Sequence, residues 1–490
     1  MNEKTSLVVV LRTEAVEILC QALKGSDGLL SRLERLEESG VSLRSIFENA
    51  LRLARSSSES DESGKIHAIK KRQKMTIAAG LHSIVAQGSQ VYACGFEPCG
   101  KTQKQPEMLT APFETGDDII SVSAGWCCTV VATRRGRVYA GGLVENEEVN
   151  SSSKWSLRPL SNLNRIHLVA AGARHALALD TNGQAWSWGC EDDGRLGRFG
   201  SGLLPARVKI DNVLRAMSAG ACHSLFVSKD GQLYATGFGG NGRLGLGNEE
   251  NQLLPTLVPL IGFNVCAVAA GKYHSLVLCD RGTKLFAFGD NAYGQLGLGH
   301  DNEQLLPAQI FGLPKSQCIK QIAAGAAHSL ILLEDSDIWG FGNNDVGQLG
   351  LQTPSSDDEN TLGEEGQPSF DQISSLENDD ENTIFLDDFE EDEETSLSDD
   401  ESMNQEFWIP VRLDPLCGLN AVQIAAGSDA VDDRGHTLVL TADGTVVSCG
   451  SQNNGQCGRG LAIPGAVAFP PDHMVLPDSF VFHTSPSHLV

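Results

Sequence analysis

The chain has 490 residues, with 63 Asp and Glu against 37 Lys and Arg, a formal net charge of -26, and 52 glycines. Its longest early apolar run, Leu7-Val8-Val9-Val10-Leu11, is far short of the ~18 residues that span a bilayer and is followed by no small-residue cleavage site, which argues against a membrane span or a secretory leader. Thirteen cysteines, an odd count with no C-x-x-C, fit neither a disulfide framework nor a paired zinc site; they read as buried free thiols in a soluble protein of the cytoplasm and/or nucleus.

Residues 1–58 read as a helical extension. Val16, Leu19 and Leu23 share one face, as do Leu29, Leu33 and Leu36, and Leu43, Ile46, Phe47, Ala50, Leu51 and Ala54 make a third stripe. Gly25, Gly28 and Gly40 separate the pieces. Two readings stay open here: a helical cap, or a hairpin for dimerisation or partner docking. Residues 59–74 read as a linker ending in the basic stretch KIHAIKKRQK. That stretch fits a solvated lead-in to the first strand, a weak nuclear-import signal or a patch for nucleosomes.

From residue 75 to about 485 one pattern recurs. VAAGARHALAL, MSAGACHSLFV, VAAGKYHSLVL and IAAGAAHSLIL are its clear copies, and weaker ones begin at Ile77, Val122 and Ile424. The seven shared glycines are Gly80, Gly125, Gly172, Gly220, Gly271, Gly325 and Gly427, and the first five gaps run from 45 to 54 residues. The last gap is 102 residues but holds an acidic stretch, residues 352–406, without which it is 47. After each apolar run comes a turn pair such as Asn182-Gly183 or Asp230-Gly231, then a short strand ending in Gly, then a loop such as GDNAYGQLG. Several copies continue with LLP and a further apolar stretch. Units of several short strands at a period near 50 predict an all-β fold, a seven-bladed β-propeller of four-stranded blades. The small residues of AAG suit strands that converge on an axis.

Two features of the repeat mimic chemistry. GFEPCGKT, residues 95–102, fits the phosphate-loop pattern. It aligns with the repeat's own turn, however: Gly95 falls on Gly289, Gly100 on Gly294 and Lys101 on Gln295, and Pro106 follows closely where a phosphate loop must open a helix. The second feature is a histidine at one repeat position: His82, His175, His223, His274, His328 and His436, with Cys128 in the second copy. Equivalent positions on adjacent sheets stand roughly 10 Å apart and cannot share a metal whose ligands lie ~2 Å away. These rings read as structural, bonding backbone in their own blade or the next. No catalytic constellation, metal or cofactor site is expected.

The acidic insertion lies between blades six and seven. Residues 357–406 carry 21 Asp and Glu and no Lys or Arg, so the other residues hold 42 acidic against 37 basic side chains. Such a stretch buries too little apolar surface to fold and is expected to be disordered. Its apolar patch, Ile384, Phe385, Leu386 and Phe389, suits a short partner-binding motif, and Ser396 and Ser398 precede acids as an acid-directed kinase prefers. A plain solubilising loop, a contact with a basic partner such as a histone tail, and folding back over the propeller all remain open.

AAGxxHSLxL with GxNxxGQLGLG at this period resembles the family of the regulator of chromosome condensation. The resemblance covers residues 70 to 485. It implies a seven-bladed propeller closed by pairing strands from both ends of the chain. The pattern departs in three blades, where His82 comes one residue early, the second copy lacks the histidine and the seventh carries DAVDDR inside its motif, and distortion is expected at the loops of those blades. It also implies protein partners: the founding member is a nucleotide-exchange factor for a small GTPase and binds nucleosomes, and relatives are binding modules. The expected function is a non-catalytic protein-binding scaffold or regulator. The alternatives are a guanine-nucleotide exchange factor for a small GTPase and, more weakly, a histone or nucleosome binder. Direct binding of nucleic acid is not expected. The plant ultraviolet-receptor branch, which uses many clustered tryptophans, is disfavoured by a chain with six.

Overall fold

In a computed structural model, the described residues are 75–96, 102–114, 116–126, 128–142, 156–314, 316–351, 406–428, 433–460 and 467–476. They form seven four-stranded antiparallel sheets, each in simple sequential order. The first is Met75–Ala79 (β1), His82–Gln87 (β2), Gln90–Phe96 (β3) and Thr102–Met108 (β4). The remaining six blades span 119–159, 166–207, 214–257, 265–310, 319–412 and 421–473. The expected propeller, its blade count and its four-strand units are all present.

The burial pattern explains the strand sequences. The second strand of each blade has neighbours in its own sheet on both edges and another blade against each face, so runs such as HALALD and HSLVLC are buried throughout instead of alternating. Between blades the apolar side chains merge into shared clusters; Leu276, Leu278 and Leu285 pack with Ile322, Ile331 and Phe341 of the next blade. Asn182-Gly183 and Asp230-Gly231 make the hairpin turns, with φ of +80° and +79° at the glycines.

The outer strands carry a different signature. Pro106, Pro159, Pro255, Pro307, Pro410 and Pro470 lie within them, and Pro205 immediately precedes the short Ala206–Arg207 strand. Proline has no N–H to donate, so six of the seven outer strands carry a residue that cannot donate to another strand.

The ring does not close as the resemblance implied. Among the described residues every sheet comes from one contiguous segment, and no strand from one end completes the blade of the other. Blade seven meets blade one through packing, side-chain bonds and isolated backbone bonds, such as Ser428 N–H to the Gly80 carbonyl (3.0 Å), with no shared strand. Met75, Ile77 and Val85 cluster with Leu438, Leu440 and Val446. Gln423 donates from Nε2 to the Ile77 carbonyl (2.9 Å) and accepts the Ile77 N–H at Oε1 (3.2 Å). Because β1 already supplies the inner strand of its own sheet, no vacancy is left for a strand from the other end. In blade one His82 opens β2, as His175, His223, His274 and His328 open their strands; residues 97–101, 143–155 and 429–432, in loops of blades one, two and seven, lie outside the described residues.

Thr102 opens a strand, not a helix. Gly95 pairs with His82 inside the sheet, so the glycine spacing of GFEPCGKT belongs to blade geometry. Among the described residues no helix is long and apolar enough to cross a membrane.

Candidate functional site: the axial ring and its loop face

The seven repeat glycines form a closed circle about the axis. A Cβ on Gly80 would lie 2.3 Å from the carbonyl oxygen of Gly125, one on Gly125 2.0 Å from that of Gly172, and so on around to Gly427, 2.7 Å from Gly80. Their role is close approach, and no larger residue fits. The same carbonyls accept hydrogen bonds across blade boundaries: Leu81 N–H donates to Gly125 (3.1 Å), Lys272 N–H to Gly325 (3.0 Å) and Ser428 N–H to Gly80 (3.0 Å).

One layer outward, each histidine bridges to the next blade. Nε2 of His82 lies 2.7 Å from Thr129 Oγ1, that of His175 2.9 Å from Ser224, that of His223 2.9 Å from Ser275 and that of His274 2.9 Å from Ser329. His328 reaches Thr437 at 3.3 Å, and His436 reaches Ser83 at 2.9 Å, closing the circle. The partner is thus a side-chain hydroxyl, not the backbone anticipated from sequence. The backbone enters one step later: Ser224, Ser275, Ser329, Thr437 and Ser83 donate to loop carbonyls of Arg195, Arg243, Gln295, Gln348 and Gln456 on the preceding blade. A hydroxyl that donates to a carbonyl must accept from the ring, so Nε2 carries the proton.

Burial drives these rings down to about 3 for His82, His175, His274 and His436 and to about 4 for His328, with His223 also well below the usual imidazole range. They are neutral, spread one per interface, and committed to joining blades. The boundary between blades two and three lacks both halves of the bridge. Cys128 replaces the histidine, and Ala176 stands where the other blades have Ser or Thr. Losing both partners together leaves neither a ring nitrogen nor a hydroxyl facing an apolar neighbour, whereas losing either one would. Cys94, Cys449 and Cys457 are free and buried, and burial raises their thiol pKa values, Cys457 to about 12.

The space lined by the glycine circle measures ≈ 60 Å³. One mouth carries a cluster that the sequence reading missed. Lys272, in blade five, bonds Asp433 of blade seven (Nζ–Oδ1 3.0 Å) and stands over the rings of Trp126 and Tyr273, 5.6 and 4.9 Å from their centroids. Trp126 Nε1 donates to Ser428 Oγ (2.8 Å). Burial alone would lower the Lys272 pKa; hydrogen bonds to Asp433 and Tyr273 outweigh it and the net shift is upward. The available signal was Lys272 itself, directly after a repeat glycine where Ala173, Ala221 and Ala326 are small. The DAVDDR insertion of blade seven, which looked like a defect, supplies its carboxylate.

The loops that follow the third strands gather on this same face, held by bonds such as Phe238 N–H to the Cys222 carbonyl (2.9 Å) and Asn343 N–H to the Ala327 carbonyl (2.9 Å). The sequence-predicted binding residues Ile384, Phe385, Leu386 and Phe389, and Ser396 and Ser398, lie outside the described residues, as do the segment read as a helical extension (residues 1–58) and the basic stretch.

Residues 49–369, more than half of the chain, match the family model of the RCC1-like domain, and residues 421–456 match that of the regulator of chromosome condensation (RCC1) repeat. Human probable E3 ubiquitin-protein ligase HERC4 is 45% identical over 38% of this chain, a match spanning only 18% of that protein. The ultraviolet-B receptor UVR8 of Arabidopsis thaliana is 32% identical over 57% of this chain and 67% of its own length. A secretion-regulating guanine nucleotide exchange factor of Bos taurus is 29% identical over 40% of this chain and 31% of its own length. Among solved structures, yeast RCC1 (Prp20) bound to Kap60 superposes with a TM-score of 0.59 at 19% identity, covering 84% of this chain and 91% of that one, a likeness of fold.

Proposed function

The chain belongs to the RCC1-like domain family, and on that premise we propose that it is a non-catalytic, protein-binding propeller that regulates a partner through its loop face and rim. The observation that carries this reading is where the polar chemistry goes. The recurrent histidines are neutral and spent on inter-blade bonds, while the loops present exposed side chains on a rigid frame. A rigid scaffold with variable loops is suited to recognition. The partner class is protein, either a small GTPase or a basic protein, and the proposed compartment is cytoplasm and/or nucleus. The acidic insertion, residues 352–406, is assigned a regulatory part, with Ile384, Phe385, Leu386 and Phe389 as its contact motif and Ser396 and Ser398 as phosphorylation sites. Direct contact with nucleic acid is not part of this reading.

A second reading, exchange factor for a small GTPase, is favoured by the bovine relative's name. Such a factor needs shaped loops and no catalytic triad. Mixing the full chain with a panel of nucleotide-loaded small GTPases separates the two. Stable binding of one member without faster nucleotide release supports the scaffold; accelerated release from one member supports the exchange factor and overturns the scaffold. Pull-downs from the same panel with and without residues 352–406 test the regulatory part, which fails if the two profiles coincide.

A further inference from the structure

Outer strands of blades three to six end the LLP-type stretches with exposed large apolar side chains. Leu204 is 64% exposed, Leu253 54%, Leu306 51% and Ile409 39%, each within the dipeptide before the outer-strand proline. Leu203 and Phe199 extend the band on blade three. At the same place blade one carries Lys104 and Gln105 and blade two the buried Leu157, so neither of these two blades extends the band.

Each loop is stitched to the next blade beside its apolar residue. Asn251 Nδ2 donates to Asp193 Oδ1 (3.2 Å), Gly247 N–H to the Leu305 carbonyl (2.9 Å) and Gly299 N–H to the Trp408 carbonyl (2.8 Å). The stitching loops bring exposed acids: Glu191 and Asp192, Glu249 and Glu250, Asp301 and Glu303. Their arginines point elsewhere. Arg195 and Arg243 are buried, with Arg243 Nη1 on the Lys272 carbonyl (3.1 Å), and Arg198 is spent on the carbonyls of Ser187 and Ser201 (3.1 Å each). The rim therefore faces solvent as apolar ridges between carboxylates.

We propose that this rim docks a partner segment that alternates apolar with basic side chains. Apolar anchors would cover the ridges while Lys or Arg meets the flanking carboxylates, which steer the encounter. A second copy would bring the same negative band, and an anionic lipid surface would be repelled, so charge selects a cationic amphipathic segment. The proposal rests on the protein-binding reading and gives it a surface.

The test uses the full chain and fluorescently labelled synthetic peptides alternating Leu with Lys, Leu with Glu, and Ser with Lys, followed by anisotropy. The expected result is Leu–Lys binding at least tenfold tighter than either of the others. It should fall at least tenfold in the L253S/L306S/I409S variant and in the E250K/E303K variant, with Tm unchanged in both. Leu–Lys binding that persists in the triple variant reflects charge alone and overturns the proposal. So does equal binding of the Leu–Glu peptide, or sedimentation showing self-association that the triple variant abolishes. A GTPase that binds this chain equally with and without the three Leu and Ile substitutions overturns the rim while leaving the protein-binding reading intact.

Discussion

Acid should open this ring, and the histidine bridges set where. All six recurrent histidines are fully buried and neutral in the fold, with pKa values near 3 or 4 for five and well below normal for His223. In the unfolded chain they titrate near 6.5. Above that pH neither state is protonated and the rings cost nothing. Below it the unfolded chain binds protons that the fold refuses, so stability falls steadily from 6.5 down toward the folded values. At pH 5.5 each ring has withdrawn about 1.4 kcal/mol, and six together about 8 kcal/mol. Total stabilities are about 5–15 kcal/mol. The assay is urea unfolding followed by tryptophan fluorescence at pH 7.5, 6.5 and 5.5, with the change in stability per pH unit read as proton uptake. Near pH 5.5 that uptake should approach about six protons, and a His223→Gln variant should lower it by about one. A stability that stays flat from pH 7.5 to 5.5 would refute the claim that these rings are held neutral.

Four further expectations can be checked alongside. Gly220→Ala places a Cβ 2.4 Å from His223 Cε1 and 2.5 Å from the Gly271 carbonyl, so it should lose more than ~3 kcal/mol or fail to yield soluble protein. Ser275→Ala strands both the His223 ring nitrogen and the Arg243 carbonyl, and should cost about 2–4 kcal/mol in urea unfolding, whereas Ser228→Ala, which loses one bond to the Gln232 N–H (3.0 Å), should cost about 1 kcal/mol. Lys272→Met leaves Asp433, itself partly exposed, without its cation and should cost about 1 kcal/mol, read as a small drop in Tm. Millimolar Mg-ATP should leave Tm unchanged; a stabilisation that Lys101→Ala removes would restore the phosphate-loop reading.

The sequence made the ring legible because the same constraint acts seven times. Gly80, Gly125 and their counterparts stand out since a Cβ is excluded at every blade, and His175 and its equivalents since six of the seven interfaces use the same polar bridge. The bridge's other half was hidden. Ser224 and Ser275 sit inside apolar runs where a small hydroxyl looks like packing, and their partners lie about fifty positions away. The Lys272–Asp433 pair was harder still, because it joins two departures from the repeat, and a departure reads as noise until both ends are located. The manner of closure was misjudged because pairing across the termini leaves no trace in a pattern whose first and last copies are each complete. The docking band was partly visible as LLP, but sequence could not tell which leucine of each pair faces outward.

The seam between blades seven and one has a topological meaning. Every sheet is whole in sequence, and Met75 and Met474, first and near-last of the ring, share one apolar cluster. The blade at which the chain starts is therefore free to change, while the cyclic order of the blades is kept. A gene rearranged to start at any inter-blade connection, with a short bridge between residues 476 and 75, would encode the same seven sheets and the same neighbours. In such a permutant the place where the circle parts first would move with the new ends, while the glycine circle and the histidine bridges stayed where they are.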